Sequence, residues 1–220
     1  YTIEAMMKDG KTLQSGTSHY FGDKFSRAYD VTFTGRDNKL QYPHQTSWGS
    51  TTRLIGAVIM THGDDNGLIL PPPIAPIQVV VIPVAQHKEG VLDAAYALEA
   101  RLKDIGLRCK CDDSDQSNGW KYAEYEMKGV PLRVEIGPKD IEKEQCVIVR
   151  RDTGEKTFVP LAELEETVQE LLKALHTNLY ESAKKRLEEN TYACTTVAEV
   201  KASMEKRKGF AKTMWCGNLA

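Results

Sequence analysis

The sequence lacks the features of a membrane protein or a secreted protein. Its longest apolar stretch, residues 77–85, is interrupted by Gln78 and Pro83 and is far too short to cross a bilayer. The first ten residues, YTIEAMMKDG, have neither the basic segment nor the apolar core of a signal peptide. The five cysteines are odd in number and scattered, which argues against a disulfide framework and favours a reducing compartment. We therefore expect a cytoplasmic protein without a membrane partner.

The chain also lacks a strong net charge. Its formal net charge is −2, and its hydrophobic content of 41% and charged content of 27% are typical of a globular protein. Bulk electrostatics therefore does not indicate a DNA-binding protein, and any contact with RNA has to come from local basic patches. The 220 residues are enough for two modest domains.

Hydrophobic periodicity predicts an α/β architecture in the second half of the chain. Strand patterns at 78–84, 108–112, 132–136, 145–150 and 157–160 alternate with helical patterns at 90–105 and 119–127, which favours a largely parallel sheet. From Leu161 the apolar residues recur at helical spacing for about 25 residues. Before this region, 68–70 is predicted to be a buried strand and 71–73, with Pro76, a stiff extended linker. After it, Thr196 is predicted to cap a short helix.

Two polar segments in the first 60 residues contain the candidate site. The first, 42–56 (YPHQTSWGSTTRLIG), is predicted to be a tight turn that leads into a helix over 51–61. The free N–H groups of a helix N-terminus bind anions, and an arginine in the first turn, Arg53, matches the geometry of a phosphate. The second, 13–25 (LQSGTSHYFGDKF), is predicted to place polar side chains on a short turn. Residues 2–7 and 29–34 have strand character. An ordinary strand–turn–helix with a surface arginine is the alternative interpretation.

Five ordered motifs resemble one family, the prolyl-tRNA synthetases of the archaeal/eukaryotic-like type. They are TIEAMM at 2–7, QSGTSH at 14–19, SWGSTTR at 47–53, HGDDNGLILPP at 62–72 and GWKYAEYEMKGVPLRVEIGPKD at 119–140. The resemblance covers essentially the whole chain. It implies an α/β (mixed) fold: the end of a class II antiparallel-sheet catalytic domain (1–72), a linker (73–76), an anticodon-binding domain with a five-stranded mixed sheet (77–180) and the start of a small α/β C-terminal extension (181–220).

The resemblance also implies site residues for a ligase that activates L-proline with ATP and Mg²⁺ and transfers it to tRNA(Pro). Arg53 is the catalytic arginine on the ATP phosphates. The other residues implied at the nucleotide are Gln14, Thr17 and Thr51, those at proline are His19, Ser47, Trp48 and Gly49, and those at the anticodon guanines are Glu126, Arg133 and Lys139. Trp48 also suits the role chemically, because a pyrrolidine ring packs well on a flat apolar wall.

The same resemblance sets limits on this chain. The family's earlier catalytic motifs and dimer-forming segment are not among these residues, so we expect an incomplete portion of a homodimeric enzyme that is not active alone. Cys216 matches the start of a four-cysteine zinc site in some relatives, but no partner cysteine follows, so we expect no metal site here. The alternatives are a sibling class II synthetase for another small amino acid and a non-catalytic tRNA- or partner-binding paralogue.

Overall fold

A computed structural model of the protein describes residues 1–206, 209–215 and 217. The strands are β1 (Thr2–Met6), β2 (Thr12–Gly22), β3 (Phe33–Thr34), β4 (Leu40–Gln41), β5 (Gln45–Ser50), β6 (Val79–Pro83), β7 (Cys109–Cys111), β8 (Leu132–Ile136), β9 (Gln145–Arg150), β10 (Lys156–Pro160), β11 (Thr191–Ala193) and β12 (Phe210–Lys212). The helices are α1 (Lys24–Ala28), α2 (Arg53–His62), α3 (Val91–Asp104), α4 (Asn118–Met127), α5 (Pro138–Glu142), α6 (Leu164–Glu189) and α7 (Val197–Lys206), with a 3₁₀ turn at Leu161–Glu163.

The chain divides into two compact units. One contains Tyr1–Thr61 together with the described residues from Asn190 onward, and the other is His62–Glu189. These units are defined by contacts alone, so the domain limits predicted from the sequence stay predictions. Among the described residues, no helix is long and apolar enough to span a membrane.

The first unit is built on an antiparallel sheet in which β2 is the central strand, in the order β1-β2-β5. The short strands β3 and β4 form a separate antiparallel pair. Strands β11 and β12 pair in parallel and are joined through α7. As predicted, the Thr196 hydroxyl caps α7, since its Oγ1 accepts the Glu199 N–H at 3.2 Å.

The second unit contains a five-stranded mixed sheet with the order β10-β9-β8-β6-β7, which confirms the predicted fold class. Strand β6 pairs in parallel with both β7 and β8, whereas β8 with β9 and β9 with β10 are antiparallel pairs. One face of the sheet packs on α3 and α6 through a core that includes Val79, Val134, Leu98 and Leu172. The opposite face, with Val80 and Ile82, packs on Tyr125 of α4.

Residues 68–70 do not form the strand that the sequence predicted. The Leu68 N–H donates to the Met127 carbonyl at 3.0 Å and the Leu70 N–H to the Gly129 carbonyl at 3.2 Å. The partner segment is the end of α4 and the turn after it, so no β-ladder forms. Ile69 is buried among Leu175 and other residues of α6, as the apolar pattern indicated.

Residues 71–76 form a turn and not the stiff extended linker that the prolines predicted. The Ile74 and Ala75 N–H groups both donate to the Pro71 carbonyl at 3.1 Å. Arg108 fixes this turn, because its guanidinium donates to the carbonyls of Pro72 at 2.9 Å and Ala75 at 2.8 Å. The sequence could not indicate a contact with an arginine more than 30 residues away.

Three local predictions in the first unit were also wrong. The segments predicted to turn at 14–19 and 45–50 are strands, because pairing within the sheet satisfies backbone groups that Ser, Gly and Thr would otherwise direct into turns. In the region 29–34 only Phe33–Thr34 is a strand, and it follows the short helix α1.

Candidate functional site

The pairing of β2 with β5 brings together the two polar segments of the first unit. Thr17 lies opposite Gly49 and His19 lies opposite Ser47. Directly opposed residues of an antiparallel pair point to the same face and have Cα atoms about 5 Å apart. Four of the residues implied by the family resemblance, in pairs that are 32 and 28 positions apart in the chain, therefore share one face of the sheet.

A β-bulge adds Gln14 to this face. Ile3 lies opposite Gly16, whereas the next residue of β1, Glu4, lies opposite Gln14, so Ser15 of β2 has no partner on β1. Successive residues of β1 point to opposite faces, and the same must then hold for Gly16 and Gln14. Gln14, Thr17, His19, Ser47 and Gly49 consequently form one surface, which we call the polar face.

Trp48 lies on the other face of the same sheet. It pairs with Ser18, between the Gly49 and Ser47 positions that belong to the polar face. Its side chain is 80% exposed and lines a hollow of about 550 Å³ together with Ile3 and Leu54. We call this surface the tryptophan face. The Trp48 side chain therefore points away from those of His19 and Ser47, although Thr17 and Gly49 also line this hollow.

Arg53 is the first residue of α2, as the sequence indicated. Its Nη1 donates to the Gln14 carbonyl at 3.4 Å, which brings the guanidinium to the edge of β2. The Thr51 hydroxyl accepts the Arg53 N–H at 3.3 Å, so this side chain already occupies one N–H group of the helix N-terminus. Both side chains are exposed. A guanidinium that is exposed at a helix start can bind an anion such as a phosphate.

The second unit contains a cavity of about 350 Å³ between α4 and the β8–β10 part of the sheet. Two of the predicted anticodon residues, Glu126 of α4 and Arg133 of β8, line it. Lys139 is exposed on the short helix α5 and is not among the lining residues. The structure thus brings together two of the three predicted anticodon residues.

Two neighbouring residues, Glu135 and Tyr122, contact the Arg133 guanidinium in the cavity wall. Arg133 Nε donates to Glu135 Oε1 at 2.8 Å, and its guanidinium carbon lies 4.2 Å from the centre of the Tyr122 ring. Burial, with the nearby Glu135 carboxylate, raises the pKa of Tyr122 to about 12, so its phenol stays neutral at physiological pH.

Three residues outside the predicted anticodon set, Asp64, Asn66 and Arg151, hold Glu126 in place. Asn66 Nδ2 donates to Glu126 Oε1 at 3.3 Å. Arg151 Nε donates to the Glu126 carbonyl at 2.8 Å, and its two terminal nitrogens donate to the Asp64 carboxylate at 2.6 and 2.8 Å. The HGDDNG motif at 62–67 was the available signal, although its residues are distant in sequence from both α4 and β9.

Arg150 and Arg151, the two arginines that follow one another at the end of β9, are both engaged in ion pairs. Arg150 donates to both oxygens of Asp152, at 3.0 and 2.7 Å, while Arg151 is paired with Asp64. Within 1–206, 209–215 and 217, no cluster of three or more His, Cys, Asp or Glu residues could hold a metal ion. Cys216, the candidate start of a zinc site, lies outside the described residues.

Known proteins resemble this chain in both of its compact units. Residues 78–171 match a family model described as an anticodon binding domain. All 220 residues align with curated proteins named proline–tRNA ligase, at 59% identity for Clostridium botulinum (strain Loch Maree / Type A3) and 57% for Clostridium novyi (strain NT). A protein named proline–tRNA ligase 2 from Bacillus cereus is 56% identical.

The alignments include the whole chain but only part of each relative. The chain spans 46% of the length of the curated proteins it matches. The model match falls on the five-stranded sheet and the helices that pack on it, whereas the identity extends through both compact units. The chain is therefore a homologue of the proline–tRNA ligases along all 220 residues, and its residues 78–171 match the anticodon binding domain model.

Proposed function

We propose that the protein containing this chain is a class II aminoacyl-tRNA synthetase that joins L-proline to tRNA(Pro). The observation that carries this proposal is the 59% identity with proline–tRNA ligases over every residue of the chain. Since these residues span 46% of such a ligase, the catalytic site is completed by residues outside them, and this chain alone does not activate proline. The proposed protein is a cytoplasmic homodimer.

Arg53 is the proposed catalytic residue, and the polar face is the proposed site of the adenylate. Activation of an amino acid by ATP builds negative charge on the phosphates, and a positioned guanidinium stabilises that charge. ATP enters as a substrate with Mg²⁺, and Gln14, Thr17 and Thr51 are the proposed hydrogen-bonding partners of the nucleotide. These assignments are supported by the pairing that puts Gln14 and Thr17 on one face and by the hydrogen bond from Arg53 to the Gln14 carbonyl.

Proline is proposed to bind on the same face, beside His19, Ser47 and Gly49. Gly49 lies opposite Thr17, and a Cβ at this glycine would meet no atom within 4 Å, so the surface there is open. Trp48 is proposed to act from the opposite face, as a support of β5. The family resemblance implies a contact between Trp48 and proline, whereas its side chain lies on the face opposite to His19.

The second unit is proposed to read the anticodon. RNA loops are recognised through unstacked bases that enter pockets and meet hydrogen-bonding side chains. The cavity lined by Glu126 and Arg133 offers a carboxylate acceptor and a guanidinium donor, which together suit a guanine. Lys139 is exposed and follows Arg133 closely in the sequence, and it is proposed to contact the same anticodon loop.

The test is proline-dependent ATP–pyrophosphate exchange by the full-length protein. Arg53→Ala is expected to lower the exchange rate by a factor on the order of 10² to 10³, the effect of removing one transition-state charge contact. Arg36→Ala, a change at an exposed arginine between β3 and β4, is the matched control and is expected to leave exchange unchanged. Exchange stimulated by another amino acid in place of proline would indicate a sibling synthetase, and no exchange with any amino acid a non-catalytic paralogue.

A further inference from the structure

Arg133 differs from a surface arginine because most of its side chain is buried and its neighbours fix its orientation. It is on β8, opposite Val80 of β6 and Val149 of β9, on the sheet face that packs on α4. Only 16% of its side chain is exposed. A guanidinium at this depth is costly to bury unless its donors are satisfied, and its orientation is therefore determined by its neighbours.

Glu135 determines which edge of the guanidinium is occupied. It lies two residues further along β8 and so points to the same face, with a side chain that is 12% exposed. Its Oε1 accepts the Arg133 Nε–H at 2.8 Å. Because Nε lies on the inner side of the guanidinium, this bond occupies the donor nearest the chain.

Tyr122 fixes the plane of the same group. The guanidinium carbon lies 4.2 Å from the centre of the phenol ring, within the distance for a cation–π contact. The ring belongs to α4, which also carries Glu126 at the cavity. A hydrogen bond at one edge and a ring against the flat side together leave little rotational freedom.

The outer edge of the guanidinium remains available to a ligand. Arg133 Nη1 and Nη2 make no hydrogen bond with the residues that the structure describes, and Arg133 lines the 350 Å³ cavity. The two arginines beside it, Arg150 and Arg151, donate to Asp152 and Asp64. Of the three arginines that line the cavity, Arg133 is thus the one whose Nη1 and Nη2 donate to no carboxylate in the described part of the chain.

Two parallel N–H donors at one edge match two acceptors on one edge of a base. Guanine presents such a pair at O6 and N7, whereas adenine presents one acceptor and one donor at the corresponding positions. A phosphate would accept the same two donors, but a preformed plane and a walled cavity add nothing to recognition of a flexible, solvent-exposed backbone. The arrangement therefore favours a base over a phosphate.

We propose that Glu135 and Tyr122 are positioning residues that fix Arg133 so that Nη1 and Nη2 bind O6 and N7 of an anticodon guanine. This inference rests on the proposed function and adds to it the base edge that is read and the two residues responsible. Neither positioning residue contacts the RNA. Replacing either positioning residue should reduce the preference for guanine over 7-deazaguanine more than it reduces the affinity for the unmodified RNA.

The experiment measures binding of the full-length protein to a synthetic anticodon stem–loop RNA that contains two adjacent guanines. Each guanine is replaced in turn by 7-deazaguanine, which lacks the N7 acceptor and keeps the Watson–Crick edge. For the unaltered protein, one of the two replacements is expected to weaken binding about tenfold, the effect of losing one hydrogen bond to a charged group. The deazaguanine ratio is the Kd of the modified RNA divided by the Kd of the unmodified RNA. Arg133→Ala is expected to bring this ratio close to one.

The positioning residues are tested by pairs of variants. Glu135→Met and Tyr122→Leu remove the acceptor and the ring, and are expected to reduce the ratio to about twofold. Glu135→Gln keeps an acceptor oxygen and Tyr122→Phe keeps the ring, so both variants are expected to retain most of the tenfold ratio. A purely structural role would weaken binding of both RNAs equally and leave the ratio at its original value. Circular dichroism spectra identify any variant that fails to fold, and the conservative variants then decide the question.

The outcomes separate this inference from the proposed function. If Arg133→Ala keeps full affinity for the unmodified RNA, the anticodon role of this cavity is wrong. If Arg133→Ala loses affinity but neither deazaguanine weakens binding to the unaltered protein, Arg133 does not read N7 and the inference alone fails. It also fails if Glu135→Met and Tyr122→Leu both keep the tenfold ratio.

Discussion

Gly129→Ala provides a sharp test of how the segment 64–70 is fixed beside α4. Gly129 follows the end of α4 with φ of +70°, in the left-handed region where a Cβ is unfavourable. A Cβ built there would lie 2.6 Å from the Leu68 carbonyl carbon and 2.7 Å from the Leu68 oxygen. Unstrained carbon atoms are separated by about 3.5–4.0 Å, so the Leu68 backbone has to move.

The cost can be worked out from two contributions. The left-handed conformation costs a non-glycine residue about 1–2 kcal/mol. Moving Leu68 away also breaks two hydrogen bonds, Leu68 N–H to Met127 and Leu70 N–H to Gly129, each with a net contribution of about 0.5–1.5 kcal/mol. The free energy of unfolding is therefore expected to fall by about 2–5 kcal/mol in total.

Gly154→Ala is the matched control. Gly154 also has φ of +70°, but a Cβ there would meet no atom within 4 Å. Only the conformational cost of about 1–2 kcal/mol applies to this variant. The difference between the two variants therefore isolates the contact between Gly129 and Leu68.

The assay is urea unfolding of the full-length protein, followed by circular dichroism and by tryptophan fluorescence. Coincident transitions allow the change in midpoint to be converted to a free energy through the slope of the transition. The result that would refute the reasoning is an equal loss for Gly129→Ala and Gly154→Ala. It would mean that the backbone of 68–70 is not held against the turn after α4.

Two further predictions concern ion pairs and turns of the second unit. Arg101 donates to both oxygens of Glu165, at 2.6 and 2.7 Å, and these hydrogen bonds lower the pKa of Glu165 below its ordinary value. The stability from this pair is present above the unfolded pKa of Glu165 and is lost as pH falls through its folded pKa. The loss of free energy of unfolding caused by Arg101→Met, measured with urea, should therefore be clear at pH 7 and smaller at pH 3. A loss that is independent of pH would contradict this. Arg108→Ala removes the guanidinium that binds the turn at 71–76 and should accelerate hydrogen exchange at the Ala75 amide, whereas exchange identical to that of the unaltered protein would show that the prolines alone fix the turn.

The sequence predicted the second unit well because its signals are local. The apolar periodicity from Leu164 to Leu179 is carried by one helix, and the Val-rich segment predicted at 78–84 is long enough to indicate a buried strand. The direction of β9 and β10 could not be obtained this way, because alternation of strands and helices favours parallel pairing and does not detect two consecutive hairpin strands.

The arrangement of the candidate site depends on contacts that the sequence does not encode locally. Gln14 joins the polar face only because Ser15 forms a bulge, and Trp48 leaves it only because consecutive strand residues alternate. The spacing of residues in a motif does not distinguish a turn from a strand. In a turn neighbouring side chains can lie close together, whereas in a strand they point to opposite faces of the sheet. In the same way, the contact of Asn66 with Glu126 joins residues 60 positions apart.

The most direct test of the account is a crystal structure of the full-length protein with a non-hydrolysable prolyl-adenylate analogue. The analogue is expected on the polar face, with its pyrrolidine ring beside His19 and Ser47 and its phosphate mimic within hydrogen-bonding distance of Arg53. An analogue bound in the hollow lined by Ile3, Trp48 and Leu54, or one with no contact to Arg53, would contradict the proposed site.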